Sequence, residues 1–319
     1  RFYFSKLFRK GLVSIDPYPN TDASSRPLNL ERSYRIPSIL AMSSIHEPYG
    51  DLIDANRGIC ELSEIFKRRP DENKYLLTTA EWGTISLPGF TAKLDCVIFS
   101  TDNEKNLSAF KTHPDWPSFS GRLAYVKVPY ILKWSDEHQV CHKLITEHSN
   151  DEVAPHTAKI LSLWAIMTRL RRSNLDLDDV KTRELTHIEK AKIYNSQIVP
   201  LHLGLSKRRN LQRDIKLIAT EYDDYGDRVL AKDVTDAAYE GRSGASYRDV
   251  ETILVEATKK HTRLSPQIVF EAIEEISKNT SVYEFVKLHD DSYESGYLSI
   301  PENLGLVKLE YNTMVNADL

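Results

Sequence analysis

The run Cys96-Val97-Ile98-Phe99 constrains this chain more than any other feature. It is short, continuous and apolar, and it stops abruptly at the polar stretch Ser100-Thr101-Asp102-Asn103. Such a run suits an inner strand of a parallel sheet, buried on both faces. In open α/β sheets, ligands gather at the carboxyl ends of the strands. The polar stretch therefore stands where a ligand would sit. Further on, Ser120–Pro129 reads SGRLAYVKVP, which predicts a second strand over Leu123–Val128 introduced by a lone arginine, Arg122.

A chain of 319 residues with 41% hydrophobic content can bury a sizeable core, and its length predicts about two domains. The formal net charge of -4 argues against a nucleic-acid partner held by bulk charge. Cys60, Cys96 and Cys141 form no CxxC pair, so neither a zinc site nor a disulfide framework is indicated, and a reducing cytoplasm fits. No apolar run approaches the ~18 residues of a membrane span. The opening Arg1-Phe2-Tyr3-Phe4 has no initiator Met and no signal-peptide pattern, and we read the chain as a piece of something longer.

Taken in order, Phe2–Leu12 mixes apolar and basic residues as one amphipathic helix does, either at a membrane surface or, as we prefer, covering a sheet. Asp16–Asn29 reads as a loop and Arg32–Gly50 continues irregularly. From Gly58 a short strand leads to acidic residues, and a carboxylate at a strand's end could orient a water or hold a magnesium-bound phosphate. Asn73–Trp82 predicts a helix. Pro88-Gly89, between Thr84–Leu87 and Phe90–Leu94, predicts a hairpin. Lys105–Phe119 is a loop or short helix broken by Pro114 and Pro117.

A helical half opens near Ser135. Pro155–Leu170 carries Ile160, Leu163, Trp164, Met167 and Leu170 on one face, a core stripe. Leu175–Tyr194 is highly charged and reads as a solvated helix, and Lys207-Arg208-Arg209 as a solvated basic helix end. Ser246-Tyr247-Arg248-Asp249 is a capping box, with Val250, Ile253, Leu254 and Ala257 following at helical spacing. Arg248 then lies in the first turn, opposite the apolar stripe. A cation is unfavourable there on dipole grounds, which points to an anionic partner. Ser265 and Pro266 start another helix, Ser281–Leu288 gives one more, and the tail carries no clear pattern.

These pieces fall in the order seen in AAA+ ATPases. Gly58–Ile65 (GICELSEI) resembles the Walker B strand, Leu76–Phe90 the helix and hairpin after it, Val97–Asn103 (VIFSTDN) the sensor-1 strand, and Phe119–Pro129 the arginine-finger strand. The set is more similar still to the bacterial PrkA serine protein kinases, on Ala55–Lys67, Leu76–Glu81, Gly121–Tyr130 and Glu240–Leu254 (EGRSGASYRDVETIL). The resemblance implies an α/β fold: part of an AAA+ P-loop NTPase parallel sheet over residues 1–134, then an α-helical lid over 135–319.

By the same resemblance, Glu64 is the base that orients the attacking water or hydroxyl, and Asn103 is sensor 1, with Thr101 as runner-up. Arg122 is the finger that reaches a neighbouring subunit's nucleotide, and Arg248 is sensor 2 on the lid. Ser63 occupies the usual aspartate position, so Glu61 is expected to serve magnesium as an outer-sphere ligand. No GxxxxGK[ST] motif is present, and the family's place for it lies upstream of Asn56. The family's C-terminal region, from which its kinase name derives, is expected to be largely absent. The implied substrate is Mg-ATP and the implied partner is a protein substrate or client, with a homo-oligomeric ring suggested by Arg122, no nucleic acid and no membrane. Three readings follow: a PrkA-type serine protein kinase in the cytoplasm, which we favour; an AAA+ ATPase that remodels a protein partner; and a degenerate, non-catalytic interaction module.

Overall fold

The computed structural model describes residues 11–17, 22–27, 45–126, 128–148, 152–171, 186–196, 241–261, 263–279, 283–290 and 297–319. The chain divides into two compact units, residues 1–124 and 125–319.

The first unit is built on three parallel strands in the order β1 (Leu12–Ile15), β4 (Ile59–Ser63) and β7 (Val97–Thr101). β1 alternates exposed and buried residues, the period of a strand. Leu12 therefore ends in the sheet and not in the expected helix, whose other residues, apart from Gly11, lie outside the described ones. Val13, Ile15, Cys60 and Leu62 are buried on one face. In the other direction point Leu12, Ile59 and Val97 in one row and Ser14, Glu61 and Phe99 in the next. Gly58 is required where β4 begins, because a Cβ there would sit 2.1 Å from the Gly11 carbonyl oxygen.

Two stretches read as irregular pair instead: β2 (Ser24–Pro27) runs antiparallel to β3 (His46–Tyr49). Their polar side chains hide the pattern; Arg26 bonds Glu47 directly across the ladder. A short helix α1 (Asp51–Asp54) leads to β4, and α2 (Tyr75–Trp82) precedes the hairpin β5 (Thr84–Leu87) and β6 (Phe90–Lys93). Between Lys105 and Phe119 stand two helices, α3 (Glu104–Lys111) and α4 (Trp116–Ser120); Pro114 lies between them and Pro117 in the first turn of α4. The strand expected over Leu123–Val128 does not form among the described residues; Val126 and Val128 are 62% and 85% exposed. A β-prone run forms a strand only where a neighbouring ladder satisfies its backbone groups. Lys127 lies outside the described residues.

The second unit is helical: α5 (Trp134–His148), α6 (Thr157–Arg169), α7 (His187–Ser196), α8 (Tyr247–Lys260), α9 (Pro266–Ser277), α10 (Glu284–Asp290) and α11 (Ile300–Asp318). α6 is its axis: Ile160, Leu161, Leu163, Trp164, Ile166 and Met167 are all fully buried. They pack with Leu144, Ile253, Leu254, Phe270, Ile273, Leu304 and Val307 from the surrounding helices. α7 is not the solvated helix its charges suggest. His187, Ala191 and Ile193 are buried, and the Lys190 ammonium donates to the Arg171 carbonyl at 2.6 Å. The tail forms the 19-residue α11, started by a capping box of Ser299 and Glu302. The basic cluster at 207–209 lies outside the described residues.

Candidate functional site

β4 pairs with β7 up to Ser63 opposite Thr101, so the residues just beyond stand side by side at the carboxyl end of the sheet. They are Glu64 on one strand and Asp102 and Asn103 on the other. Glu64 leaves β4 with φ 48° and ψ 50°, in the left-handed region. For a residue with a Cβ this conformation costs about 1 kcal/mol or more and persists only where the surroundings enforce it. Here they do. The turn that follows, Ile65–Lys67, is held from both sides. Asp102 Oδ2 accepts the Phe66 N–H at 2.6 Å, and the buried Asn73 amide donates to the Ile65 carbonyl at 2.9 Å. The Phe66 ring stacks on Phe110 of α3, with centroids 4.9 Å apart. The Glu64 carboxylate, 38% exposed, pairs with the Lys67 ammonium.

Asp102 does more than hold that turn. Its Oδ1 accepts the Asn103 N–H and the Asn106 side-chain amide, each at 2.7 Å. Asn103 caps α3, its Oδ1 accepting the Asn106 N–H at 2.8 Å. The carbonyl oxygen of the sensor-1 candidate is thus used by the fold, and its side-chain NH₂ is the end left to meet a ligand. Glu61, two residues before Ser63, is flanked by hydroxyls: Ser14 Oγ donates to one oxygen and Thr101 Oγ1 to the other, the latter at 3.0 Å. Thr101 is thereby turned toward Glu61. Among the described residues no group of three or more His, Cys, Asp or Glu could hold a metal ion by itself.

Arg122 does not introduce a strand. It follows α4, donates to the Ser118 carbonyl at 2.8 Å, and forms an ion pair with Glu81 at the end of α2 at 2.7 Å. The ring of Phe119, three residues earlier, packs edge-on against Phe110 at 5.3 Å, so one aromatic cluster anchors both the Glu64 turn and the helix before Arg122. The sequence reading passed over Glu81, Asp102 and Asn73, because their roles depend on which loops the sheet brings together. The only local signal was the Asp-Asn pair at the end of an apolar strand.

In the helical unit, Ser246 and Asp249 form both bonds of the capping box that starts α8. Val250, Ile253, Leu254 and Ala257 are buried, whereas Arg248 is exposed and its side chain makes no ion pair among the described residues. The loop before α8 is built on the fully buried Arg169. Its guanidinium grips Glu137 at 2.7 and 2.8 Å and donates to the carbonyls of Ile131 and Ala245, each at 2.9 Å. Gly244, with φ 126°, passes so close that a Cβ would lie 2.7 Å from the Thr168 carbonyl oxygen.

A three-stranded parallel sheet with polar residues at its carboxyl ends, followed by a helical unit, defines an α/β protein, and the AAA+ character of its core rests on a family match. Comparison with known proteins agrees. Residues 41–176 match the PrkA AAA domain, and residues 188–319 match the PrkA serine protein kinase C-terminal domain. The chain belongs to the PrkA family. The second match overturns the expectation that the C-terminal region is largely missing.

Similar curated proteins include one named ATP-dependent protease PrkA, from Bacillus subtilis, 29% identical over 61% of this chain and 32% of its own length. Another, named serine/threonine kinase YeaG, from Escherichia coli, is 32% identical over 38% of this chain and 20% of its own. The chain thus spans a third or less of these relatives. Among solved structures, NtrX from Brucella abortus aligns with a TM-score of 0.33 at 15% identity, over 65% of this chain and 50% of its own. NtrX in complex with ATP aligns at 0.30, also at 15% identity, over 65% and 49%. Likeness at that level adds nothing to the assignment of the fold.

Proposed function

We propose that this chain supplies part of the ATP site of a longer protein that transfers the γ-phosphoryl group of ATP to a protein serine. The observation that carries the reading is Glu64: a carboxylate at the carboxyl end of the central parallel strand, held in a left-handed conformation from both sides. Phosphoryl transfer asks a protein mainly for positioning and for stabilisation of charge. Glu64 would orient the attacking hydroxyl and accept its hydrogen bond, once the Lys67 ammonium yields its place. Asn103 would donate its free NH₂ toward the terminal phosphate. Arg122, a rigid fork now held by Glu81, would exchange that partner for the nucleotide of a neighbouring subunit in a ring. Arg248, unpaired on the first turn of α8, would meet phosphate oxygens. Glu61 fits an outer-sphere role toward magnesium, since a carboxylate holding two hydroxyls still has acceptor capacity for a metal-bound water. When bound, that ion would neutralise charge on the phosphates.

A second reading is an ATPase that acts on a protein partner, with hydrolysis as its only chemistry. The protease name of the Bacillus subtilis relative favours it. The test uses the full-length protein with γ-labelled ATP, following free and protein-bound phosphate beside Glu64→Gln. Label on protein serine, reduced at least ~100-fold in the variant, supports the kinase. Free phosphate alone, lost likewise, supports the ATPase. Turnover unchanged in Glu64→Gln removes Glu64 from either mechanism.

A further inference from the structure

We infer that Asp102 is a positioning residue for Glu64: it acts through the Phe66 N–H and makes no contact with the reacting groups itself. The inference rests on the reading of Glu64 as the orienting base. Asp102 stands one residue beyond β7, and Phe66 stands in the turn after β4, so the carboxylate joins the ends of two neighbouring strands. Its two oxygens divide the work. Oδ2 takes the Phe66 N–H at 2.6 Å. Oδ1 takes the Asn103 N–H and the Asn106 amide, both at 2.7 Å, and so is fixed by the first turn of α3.

The geometry explains why the turn needs such a partner. A turn of 3₁₀ type leaves its first N–H groups without partners inside the turn. A charged acceptor on one of them makes a bond about twice as strong as a neutral one. The strained residue lies two positions before that N–H. With Phe66 N–H released, the backbone of Glu64 is free to relax toward an ordinary region, and its carboxylate swings from the position that β4 and the turn now dictate. An error of about 1 Å in such a group can cost two orders of magnitude in rate. The Asn106 side chain sits on the other oxygen, so it separates the two jobs: losing it takes one of two bonds from Oδ1 and leaves the Asn103 N–H, the cap of α3 and the Phe66 bond in place.

The experiment compares Asp102→Ala, Asn106→Ala and Glu64→Gln in the full-length protein, with two readouts. Steady-state turnover gives kcat and KM for ATP, and deuterium uptake gives the exchange rate of the Phe66 amide. Asp102→Ala is expected to speed Phe66 exchange at least tenfold and to lower kcat at least tenfold, with KM within threefold. Asn106→Ala is expected to leave both readouts within twofold. Faster exchange at Phe66 with kcat unchanged makes Asp102 a structural cap only and overturns the inference. So does a loss of kcat matched by Asn106→Ala, or one accompanied by an equal rise in KM. If Glu64→Gln turns over normally, the reading of Glu64 falls and the inference with it. If Glu64→Gln is inactive while Asp102→Ala is normal, the inference alone falls.

Discussion

At the residue scale, the second unit rests on a buried cation, Arg169. Arg169 and Glu137 are 2% and 3% exposed and pair through two parallel hydrogen bonds. Removing one member of such a pair strands the other charge in a dry interior, at a cost of about 3–5 kcal/mol. Arg169→Met should cost that much, read from the urea midpoint. Arg169→Met with Glu137→Leu should cost less, although the carbonyls of Ile131 and Ala245 lose their donor in both. Equal costs for the single and double variants would refute the stranded-charge explanation. His289 makes the matching case for pH. Its ring nitrogens face the carbonyls of Leu298 and Thr168, an arrangement that suits the imidazolium, yet burial outweighs them and lowers its pKa below 6.5. The unfolded chain therefore takes up the proton first. The stability that neutral His289 contributes is present above pH 6.5 and is lost as pH falls through its folded value. Melting temperatures measured from pH 7.5 down to 5 should fall in the native protein and fall less steeply in His289→Gln.

At the scale of elements, local chemistry was legible wherever one face or one cap decided the outcome. The hairpin over Thr84–Lys93 follows its Pro-Gly turn, α6 its apolar face, and α8 and α9 their Ser caps. The same signal stood at Ser299 and Glu302, where the sequence reading passed over it. What was not legible depended on distant partners. The run after Arg122 is as β-prone as any strand here, but no ladder among the described residues receives it. Polar β2 and β3 pair because their backbones meet. In the site, the run ending at Asn103 was found from its polarity, while Asp102 could be assigned a task only once Phe66 lay opposite. The cap of α8 should matter to both fold and site. Ser246→Ala removes the acceptor for the Asp249 N–H and should cost about 1 kcal/mol of stability. On the role proposed for Arg248, which lies in the same turn, the variant should also weaken ATP binding by the full-length protein, whereas Lys259→Ala, exposed near the far end of α8, should not. Titration with a fluorescent ATP analogue distinguishes them.

At the scale of the whole molecule, the two units differ in how completely they are closed. The helical unit surrounds α6, whose Trp164, Leu161 and Ile166 are fully buried. The parallel sheet packs one face on its core, but on β7 Val97 is 65% exposed and Phe99 47%. Parallel strands are ordinarily covered on both faces. Hydrogen bonds backed by few buried apolar contacts open at lower free energy than the core of a closed unit, and each factor of ten in exchange rate corresponds to about 1.4 kcal/mol. Deuterium uptake by the 319-residue chain should therefore show the amides of β4 and β7 exchanging at least ~10-fold faster than those in the middle of α6. In moderate urea the sheet amides should reach full exchange while α6 remains protected, so that a single two-state transition does not describe the chain. Val97→Thr should leave both rates nearly unchanged, because that side chain contributes little buried area, whereas Leu62→Ala, on the buried face of the central strand, should remove about 2–5 kcal/mol and speed the sheet alone. Coincident loss of protection in both units, or acceleration of α6 by Leu62→Ala, would mean that they unfold as one cooperative body.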